Sequence, residues 1–413
     1  MIEPSQTQLR LLYLTAEQWP TFRPDVVALF GKYLPRSGIN SDLVTERDHA
    51  VTSSANTKWA GGQEILCNVP QNRAGQYLVK LWHNLCTLVT LDSEKYDAIQ
   101  VRDMSLTALA GLVVARIKGI QFFYWLSYPQ SEGQISRAKA RGLKGGMRFL
   151  FPLVQGLFGQ WLLYKIVLPR ADHVFVQSSQ MQIDIARHGI PMAHMTPVPM
   201  GVDTEVLHPD GIQPIEDARL TGKRVVVYLG TLDPLRKIEI LLQMLAHVRE
   251  TIPDIFLVLV GDTSDVAHLD WLKQEAGRLG IADLIVWTGW LTPSVAWRYV
   301  ISSEVGLSPI PRGYMLDMGS PTKAVEYMAL GLPVLVNDSP DQAQVVADSG
   351  AGLCVQLDPR TFAESLSRLL SNNELCHQMG DAGQRYVSRT RAYHSMARTV
   401  AAKYRTLLSE AQS

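Results

Sequence analysis

Cysteine is scarce in this chain. Cys67, Cys86, Cys354 and Cys376 are the only four in 413 residues, and they form neither a CxxC pair nor a Cys/His cluster. That excludes a zinc ribbon and a disulfide framework, and it suits thiols kept reduced in the cytoplasm. Net charge is missing as well: 39 basic side chains balance 39 acidic ones, which argues against bulk nucleic-acid binding. The N-terminus, MIEPSQTQLRLLYLTAEQW, has no basic segment leading into an apolar core, so no signal peptide is expected. No segment passes cleanly as a transmembrane helix. The histidines are scattered, no pair of catalytic carboxylates stands out, and no metal or cofactor site is expected. What remains is a globular composition, 46% hydrophobic and 19% charged, in a chain long enough for two domains.

The first half alternates strand and helix patterns. Strands are predicted over Leu9–Leu14, Asp42–Thr45, Tyr96–Val101, Gln121–Leu126 and Ala171–Gln177, with helices over Phe22–Leu34, Tyr77–Leu91, Ser105–Ile117 and Ser179–Arg187. This spacing means βαβ units and a parallel sheet covered on both faces. Ligands of such sheets sit beyond the carboxyl ends of the strands. The loops at those ends carry Thr15, Glu17, Trp19, Arg102, Asp103, Ser127 and Tyr128.

Residues 134–171 hold Arg137, Lys139, Arg141, Lys144, Arg148, Lys165 and Arg170 and no acid, around the apolar run Phe149–Tyr164. Three readings stand. One is a membrane span, weakened by Pro152, Gln155, Gly156, Gly159 and Gln160. Another is a helix covering the sheet. The third is an amphipathic or hairpin segment in the interface of an anionic membrane, giving peripheral attachment to the inner leaflet.

A polar stretch with Pro209, Gly211, Pro214 and Gly222 reads as a linker over 209–222. The expected division is an N-terminal domain over 1–208, a second over 223–390, and a closing helix within 391–413 that packs back on the first. In the second half, strands are predicted at Arg224–Leu229, Ile255–Val260, Leu284–Trp287, Glu304–Leu307, Pro333–Val336 and Leu353–Gln356. The first ends in Gly230-Thr231-Leu232-Asp233-Pro234-Leu235-Arg236-Lys237, ahead of a helix from about Ile238 to Arg249. Gly261-Asp262 and Gly289-Trp290-Leu291 end two others, where backbone groups can read a nucleotide base.

The most informative stretch is Ser320–Val336. Ser320 suits the helix N-cap and Pro321 the first turn, while Gly331 and Pro333 end the helix. Lys323 does not fit a purely structural helix, because a cation in the first turn meets the positive end of the dipole. With an anion present, the same placement becomes favourable. Glu326 lies one turn on and can accept hydrogen bonds from hydroxyls of whatever carries the anion; the plain alternative is a solvated Lys–Glu pair. Arg236 and Lys237 repeat the arrangement at a second helix start. Two such termini point to one multiply charged anion, and a diphosphate fits.

These residues carry a resemblance. Gly201-Val202-Asp203 with Pro209, the loop Gly230-Thr231-Leu232…Arg236-Lys237, and Glu326-Tyr327-Met328-Ala329-Leu330-Gly331-Leu332-Pro333-Val334 resemble the signatures of family-4-type retaining glycosyltransferases. The resemblance implies an α/β fold of GT-B architecture, two Rossmann-like doubly wound parallel-sheet domains facing across a cleft. It implies hexose transfer from a nucleoside-diphosphate sugar to an acceptor hydroxyl, without a metal. Arg236, Lys323 and Lys237 would then stabilise the leaving diphosphate. Gly230, Thr231, Gly261, Asp262, Leu291, Asp317, Gly319, Ser320, Pro321, Thr322 and Glu326 would hold the donor, and Thr15, Ser127 and Tyr128 would face the acceptor. Two positions depart from the pattern: an expected acid falls at Met318, with Asp317 adjacent as its candidate replacement, and the loop arginine falls at Thr231. The basic apolar stretch favours a lipid-linked or saccharide acceptor, as in bacterial exopolysaccharide or lipopolysaccharide assembly. Alternatives are an epimerase of the same architecture and a non-catalytic nucleotide-sugar-binding subunit.

Overall fold

The computed structural model describes residues 8–48, 58–70, 72–142 and 146–410. The chain divides into two compact units, Met1–Met200 with Tyr393–Ser413, and Gly201–Ala392. Each is built on one parallel sheet.

In the first unit the strands are β1 (Leu9–Thr15), β2 (Ile39–Glu46), β3 (Glu64–Cys67), β4 (Ala98–Arg102), β5 (Gln121–Leu126), β6 (His173–Val176) and β7 (Met195–Pro197). They lie in the order β3-β2-β1-β4-β5-β6-β7. The chain winds outward from β1 to β3, then returns past β1 to lay down β4 and the rest. Successive side chains point to opposite faces. Leu11, Tyr13, Phe123, Trp125 and Phe175 therefore share one core with Leu29, Phe30, Tyr393, Ala397, Val400 and Tyr404. The helix Tyr393–Glu410 closes that face, and the Tyr404 hydroxyl donates to Gln100 Oε1. On the other face the helix Ser105–Lys118 comes close through Gly111, where a Cβ would stand 3.0 Å from Phe122.

The second unit holds β8 (Arg224–Leu229), β9 (Ile255–Val260), β10 (Ile285–Trp287), β11 (Val305–Ser308), β12 (Val334–Asn337) and β13 (Gly352–Val355). Their order is β10-β9-β8-β11-β12-β13. Val226, Tyr228, Leu257, Leu259 and Leu335 pack on one side with the helices Glu239–Val248 and Pro359–Leu370. Val225, Val227, Val258, Val260, Val334 and Val336 pack on the other with Pro293–Ile301 and Thr322–Ala329. Strands buried on both faces explain apolar runs such as Ile255–Val260, which lack alternation.

The structure departs from the sequence reading in three places. Two short strands, β3 and β7, were not expected; they are edge strands of four and three residues, too short to show a period. The division falls after Met200, and residues 209–222 are strapped to the second unit. Ile212 and Leu220 pack on its core, Arg298 donates to the carbonyls of Gln213 and Pro214, and Ile215 N–H donates to Ser302. The helix expected to be capped by Ser320 starts at Thr322 with Pro321 in the cap position, and the Ser320 hydroxyl donates to Asp341 at 2.8 Å.

The basic apolar stretch forms two helices, Gln130–Arg141 and Met147–Leu162, with helical turns continuing to Arg170; Lys144 lies outside the described residues. Gly156 and Gly159 let the helices touch, since a Cβ there would come within 2.9 Å of the Ser131 carbonyl or 2.8 Å of its hydroxyl. Phe149–Arg170 is long and apolar enough to cross a membrane by length and composition, and 28% of its most apolar window is buried in the protein.

A close backbone approach joins the ends of β8 and β9. Gly261 has φ +136°, and a Cβ there would lie 2.1 Å from the Gly230 carbonyl oxygen. Gly261→Ala is therefore expected to destabilise the protein by at least about 2 kcal/mol. Gly350→Ala, at φ +65° but in open space, should cost only about 1 kcal/mol of backbone strain. Thermal melts of the two variants make the comparison, and equal midpoints would contradict the close approach.

Candidate functional site

The order of the second sheet reverses between β8 and β11, so the loops after those two strands diverge and leave a crevice, the usual ligand position in open α/β sheets. The loop after β8 starts at Gly230 (φ +146°), whose N–H donates to the Val260 carbonyl. Leu232 N–H donates to the Asp262 carbonyl and Thr263 Oγ1 donates to Asp233, tying the loop to the one after β9. A short turn, Pro234–Arg236, then presents Arg236, half-buried. Lys237 follows in the left-handed region at φ +51° and is exposed. It occupies the place where the resembling motif has glycine, and its backbone conformation is the one glycine favours.

The helix Thr322–Ala329 is fixed against the sheet by Tyr327. Its hydroxyl accepts the Leu229 N–H at 2.7 Å and donates to the Leu307 carbonyl at 3.3 Å, bridging the ends of β8 and β11. The ring fits because residue 306 is glycine; a Cβ there would stand 2.3 Å from it. Anchored one turn ahead of Tyr327, Lys323 lies over Gly230. A Cβ at 230 would be 2.9 Å from Lys323 Cε and 3.3 Å from Nζ. The ammonium also stands 5.4 Å over the Tyr228 ring, and the Tyr228 hydroxyl donates to the Thr231 carbonyl.

Charge at this point is unbalanced. Burial, and then the neighbouring positive charge of Arg236, push the Lys323 ammonium down to about 7, with Glu326 opposing them. Glu326 is raised by burial, while hydrogen bonds from Thr322 and the Trp297 indole and the charge of Lys323 hold it back. Lys323 and Arg236 thus share one half-buried place with the Glu326 carboxylate, with Asp233 also acting on the neighbouring Tyr228, at a helix start whose first N–H groups have no partners within the helix. A diphosphate would supply the missing negative charge. Thr231 Oγ1, buried beside this loop, has no hydrogen-bond partner.

The sequence-predicted residues divide accordingly. Arg236, Lys323, Glu326, Thr322 and Gly230 come together, with Thr231, Gly261 and Asp262 alongside. Others are occupied elsewhere. Asp317 forms a two-pronged pair with Arg312, at 2.9 and 3.2 Å, so the candidate substitute for the acid at Met318 is held by a guanidinium. Met318 itself is buried. Ser320 belongs to a network in which Arg391 pairs with Asp341 at 2.7 Å. Leu291 packs on the core, Pro321 caps the helix, and Gly319 turns the chain between Asp317 and Ser320. Among the charges acting on Lys323, Arg236 and Glu326 figure and Lys237 does not. Sequence reasoning missed Tyr228, Trp297 and Tyr327 as site-forming residues. Tyr327 stood in the motif, but only the fold shows what its hydroxyl bridges.

In the first unit, Thr15 is buried and its Oγ1 accepts from Glu17 N–H. The Ser127 hydroxyl donates to Asp103, which also accepts the Ser127 N–H at 2.8 Å. Tyr128 is half exposed.

Lys323 gives the site a pH signature. Its folded value is depressed, so in the empty protein it is largely neutral above pH 7. An anion bound beside it favours the charged form, so binding takes up a proton above that pH and affinity falls as pH rises through about 7. Calorimetry of nucleoside-diphosphate-sugar binding at pH 8, in two buffers of different ionisation enthalpy, should show uptake approaching one proton. At pH 6 it should approach zero, and in Lys323→Arg it should vanish at both. Uptake independent of pH would contradict the assignment.

Two family models match the chain: a glycosyl transferase 4-like domain over residues 22–201 and glycosyl transferases group 1 over 213–386. Among curated proteins it is similar to the GDP-mannose-dependent alpha-(1-6)-phosphatidylinositol monomannoside mannosyltransferase of Mycobacterium tuberculosis. Identity is 27% over 219 residues, covering 51% of this chain and 56% of that protein. The chain spans about half the length of the curated relatives it matches. Among solved structures, sucrose-phosphate synthase from Thermosynechococcus elongatus aligns with a TM-score of 0.69 at 18% identity, covering 97% of this chain and all (100%) of that one. Anabaena HepE in complex with UDP and glucose aligns with a TM-score of 0.67 at 15% identity, covering 96% and 100%. With two parallel-sheet units of this topology and both family models matched in order along it, the chain belongs to the group 1 glycosyltransferases, of GT-B fold.

Proposed function

We propose that the protein transfers a hexose from a nucleoside-diphosphate sugar to an acceptor hydroxyl with retention of configuration. The observation that carries this is the under-neutralised pair Arg236 and Lys323 at the switch point of the second sheet. As the bond between the anomeric carbon and the β-phosphate oxygen breaks, its electron pair goes to the phosphate. Preorganised cations and helix N–H groups aimed at that charge lower the barrier. The acceptor oxygen bonds the anomeric carbon on the face the phosphate leaves, and its proton passes to the departing phosphate oxygen. Side-chain cations take the part a divalent metal would otherwise play. Glu326, oriented by Thr322 and Trp297, accepts from ribose hydroxyls, and the Gly261-Asp262 loop meets the base. That HepE, of the same fold, was solved in complex with UDP and glucose supports a nucleotide-sugar donor.

For localisation, we propose peripheral attachment to the cytoplasmic face of the inner membrane. On the Met147–Leu162 helix, Leu150, Phe151, Val154, Leu157, Phe158 and Trp161 are about half exposed or more, and residues 134–171 contain no acid. An acceptor drawn from lipid-linked oligosaccharide assembly suits that placement.

Three measurements test these readings. Thermal-shift screening with UDP-, GDP-, ADP- and dTDP-sugars should single out one donor, since binding to the native state raises the midpoint. Lys323→Ala and Arg236→Ala should each lower turnover by about 10²–10³-fold while the fold survives, whereas Glu326→Ala should mainly weaken donor binding. Near-normal turnover in both cation variants would remove the diphosphate assignment. In flotation assays, vesicles containing phosphatidylglycerol should carry the protein at low salt and release it at high salt, and Phe151→Asp should reduce the bound fraction; no flotation at low salt would refute the attachment.

A further inference from the structure

Ser320 is a residue type that caps helices, and it stands directly before Pro321 and the helix Thr322–Ala329, yet its hydroxyl is turned to another use. It donates to Asp341 Oδ2 at 2.8 Å and accepts from Arg391 Nη1 at 3.3 Å. Asp341 lies in the first turn of the helix Pro340–Ser349, and its Oδ1 accepts from Arg391 Nη2 at 2.7 Å. The Arg391 and Asp341 side chains are only 7% and 8% exposed. Burial disfavours the Arg391 charge, and the Asp341 carboxylate, followed by Tyr386, more than restores it. A buried ion pair of this kind is weak evidence for stability, since apolar residues of similar volume often serve as well. What it does here is local: it holds a hydroxyl.

The segment around Asp341 also fixes the chain that leads to Ser320. Asn337 Oδ1 accepts the Ile310 N–H at 2.7 Å, and its Nδ2 donates to the Ile310 carbonyl at 2.8 Å. Arg312 donates to the Asp338 carboxylate at 2.8 Å. The end of β12 and the helix start that follows it thus hold the loop after β11 at Ile310, Arg312 and Ser320.

Left to itself, a serine hydroxyl at this point would accept from the N–H of one of the first helical residues, the same groups that a phosphate uses. In this protein Pro321 occupies the cap position and supplies no side-chain acceptor. The first-turn N–H groups beside Lys323 are thereby kept clear of a hydroxyl placed to fill them.

We propose that the Asp341–Arg391 pair withholds the Ser320 hydroxyl from the start of the Thr322–Ala329 helix and so keeps its N–H groups open to the donor diphosphate. Asp341 and Arg391 are positioning residues that act through Ser320. This rests on the transferase reading, of which it explains how the phosphate site is kept open.

Inorganic pyrophosphate is the probe, titrated calorimetrically into the full chain, because it reads the phosphate site without a base or a sugar. Replacing the pair together, Asp341→Leu with Arg391→Leu, leaves neither charge buried alone and releases the hydroxyl. Affinity should then fall about fivefold, the size of a capping interaction. Adding Ser320→Ala removes the competing hydroxyl and should bring affinity back to within about twofold of the unmodified protein. Ser320→Ala alone should bind as the unmodified protein does. A purely structural role for the pair predicts no such recovery. Should the leucine variants not fold, Asp341→Asn with and without Ser320→Ala makes the same comparison with a smaller fall. Unchanged affinity in the folded variants, or a loss that Ser320→Ala does not reverse, would overturn the proposal. If the unmodified protein binds neither pyrophosphate nor any nucleoside-diphosphate sugar, the transferase reading itself fails, and the proposal with it.

Discussion

The crevice of the second unit turns on a buried lysine whose charge its surroundings disfavour. Lys323 is held over Gly230 by the Tyr327 hydroxyl, between a guanidinium and a carboxylate that is itself partly desolvated. Removing charge from water without a matching partner lowers stability, and such an arrangement persists where a ligand is to supply the partner. The glycines follow from the same demand. Side chains at 230 and 261 would occupy the volume that the lysine and the backbone carbonyl need.

The two units solve the placement of a ligand alike. Each winds out from its first strand and then returns past it, so each has a crevice where loops after neighbouring strands separate. The second unit fills its crevice edge with cations and glycines. The first has paired charges there, Lys80 with Glu46 and Asp103 with Arg102. A fold repeated twice thus carries two chemistries, set by a handful of loop and helix residues.

Much of this was legible in the chain. The strands Gln121–Leu126, Arg224–Leu229 and Ile255–Val260 and the helix Tyr393–Glu410 fall where the sequence places them, because long apolar runs and sustained periodicity are strong local signals. The edge strands β3 and β7 were not, since a few residues carry no period. The importance of Lys323 could be read from the conflict between its charge and the helix dipole. The pairing of Asp317, the candidate replacement for the acid at Met318, with Arg312 was not legible, because Arg312 looks from sequence like any other surface arginine.

The sequence by itself determined that there are two parallel-sheet units and that a cation starts the Thr322–Ala329 helix, since both follow from residue order and spacing. Only the tertiary structure decided that Arg236, 87 positions before Lys323, acts on the same ammonium, and that the Tyr327 hydroxyl bridges the ends of β8 and β11. Local pattern fixes an element and its ends. Which distant side chain shares a buried space, and which polar atom is left without a partner there, depends on packing between elements, and that is not written in any single stretch of the chain.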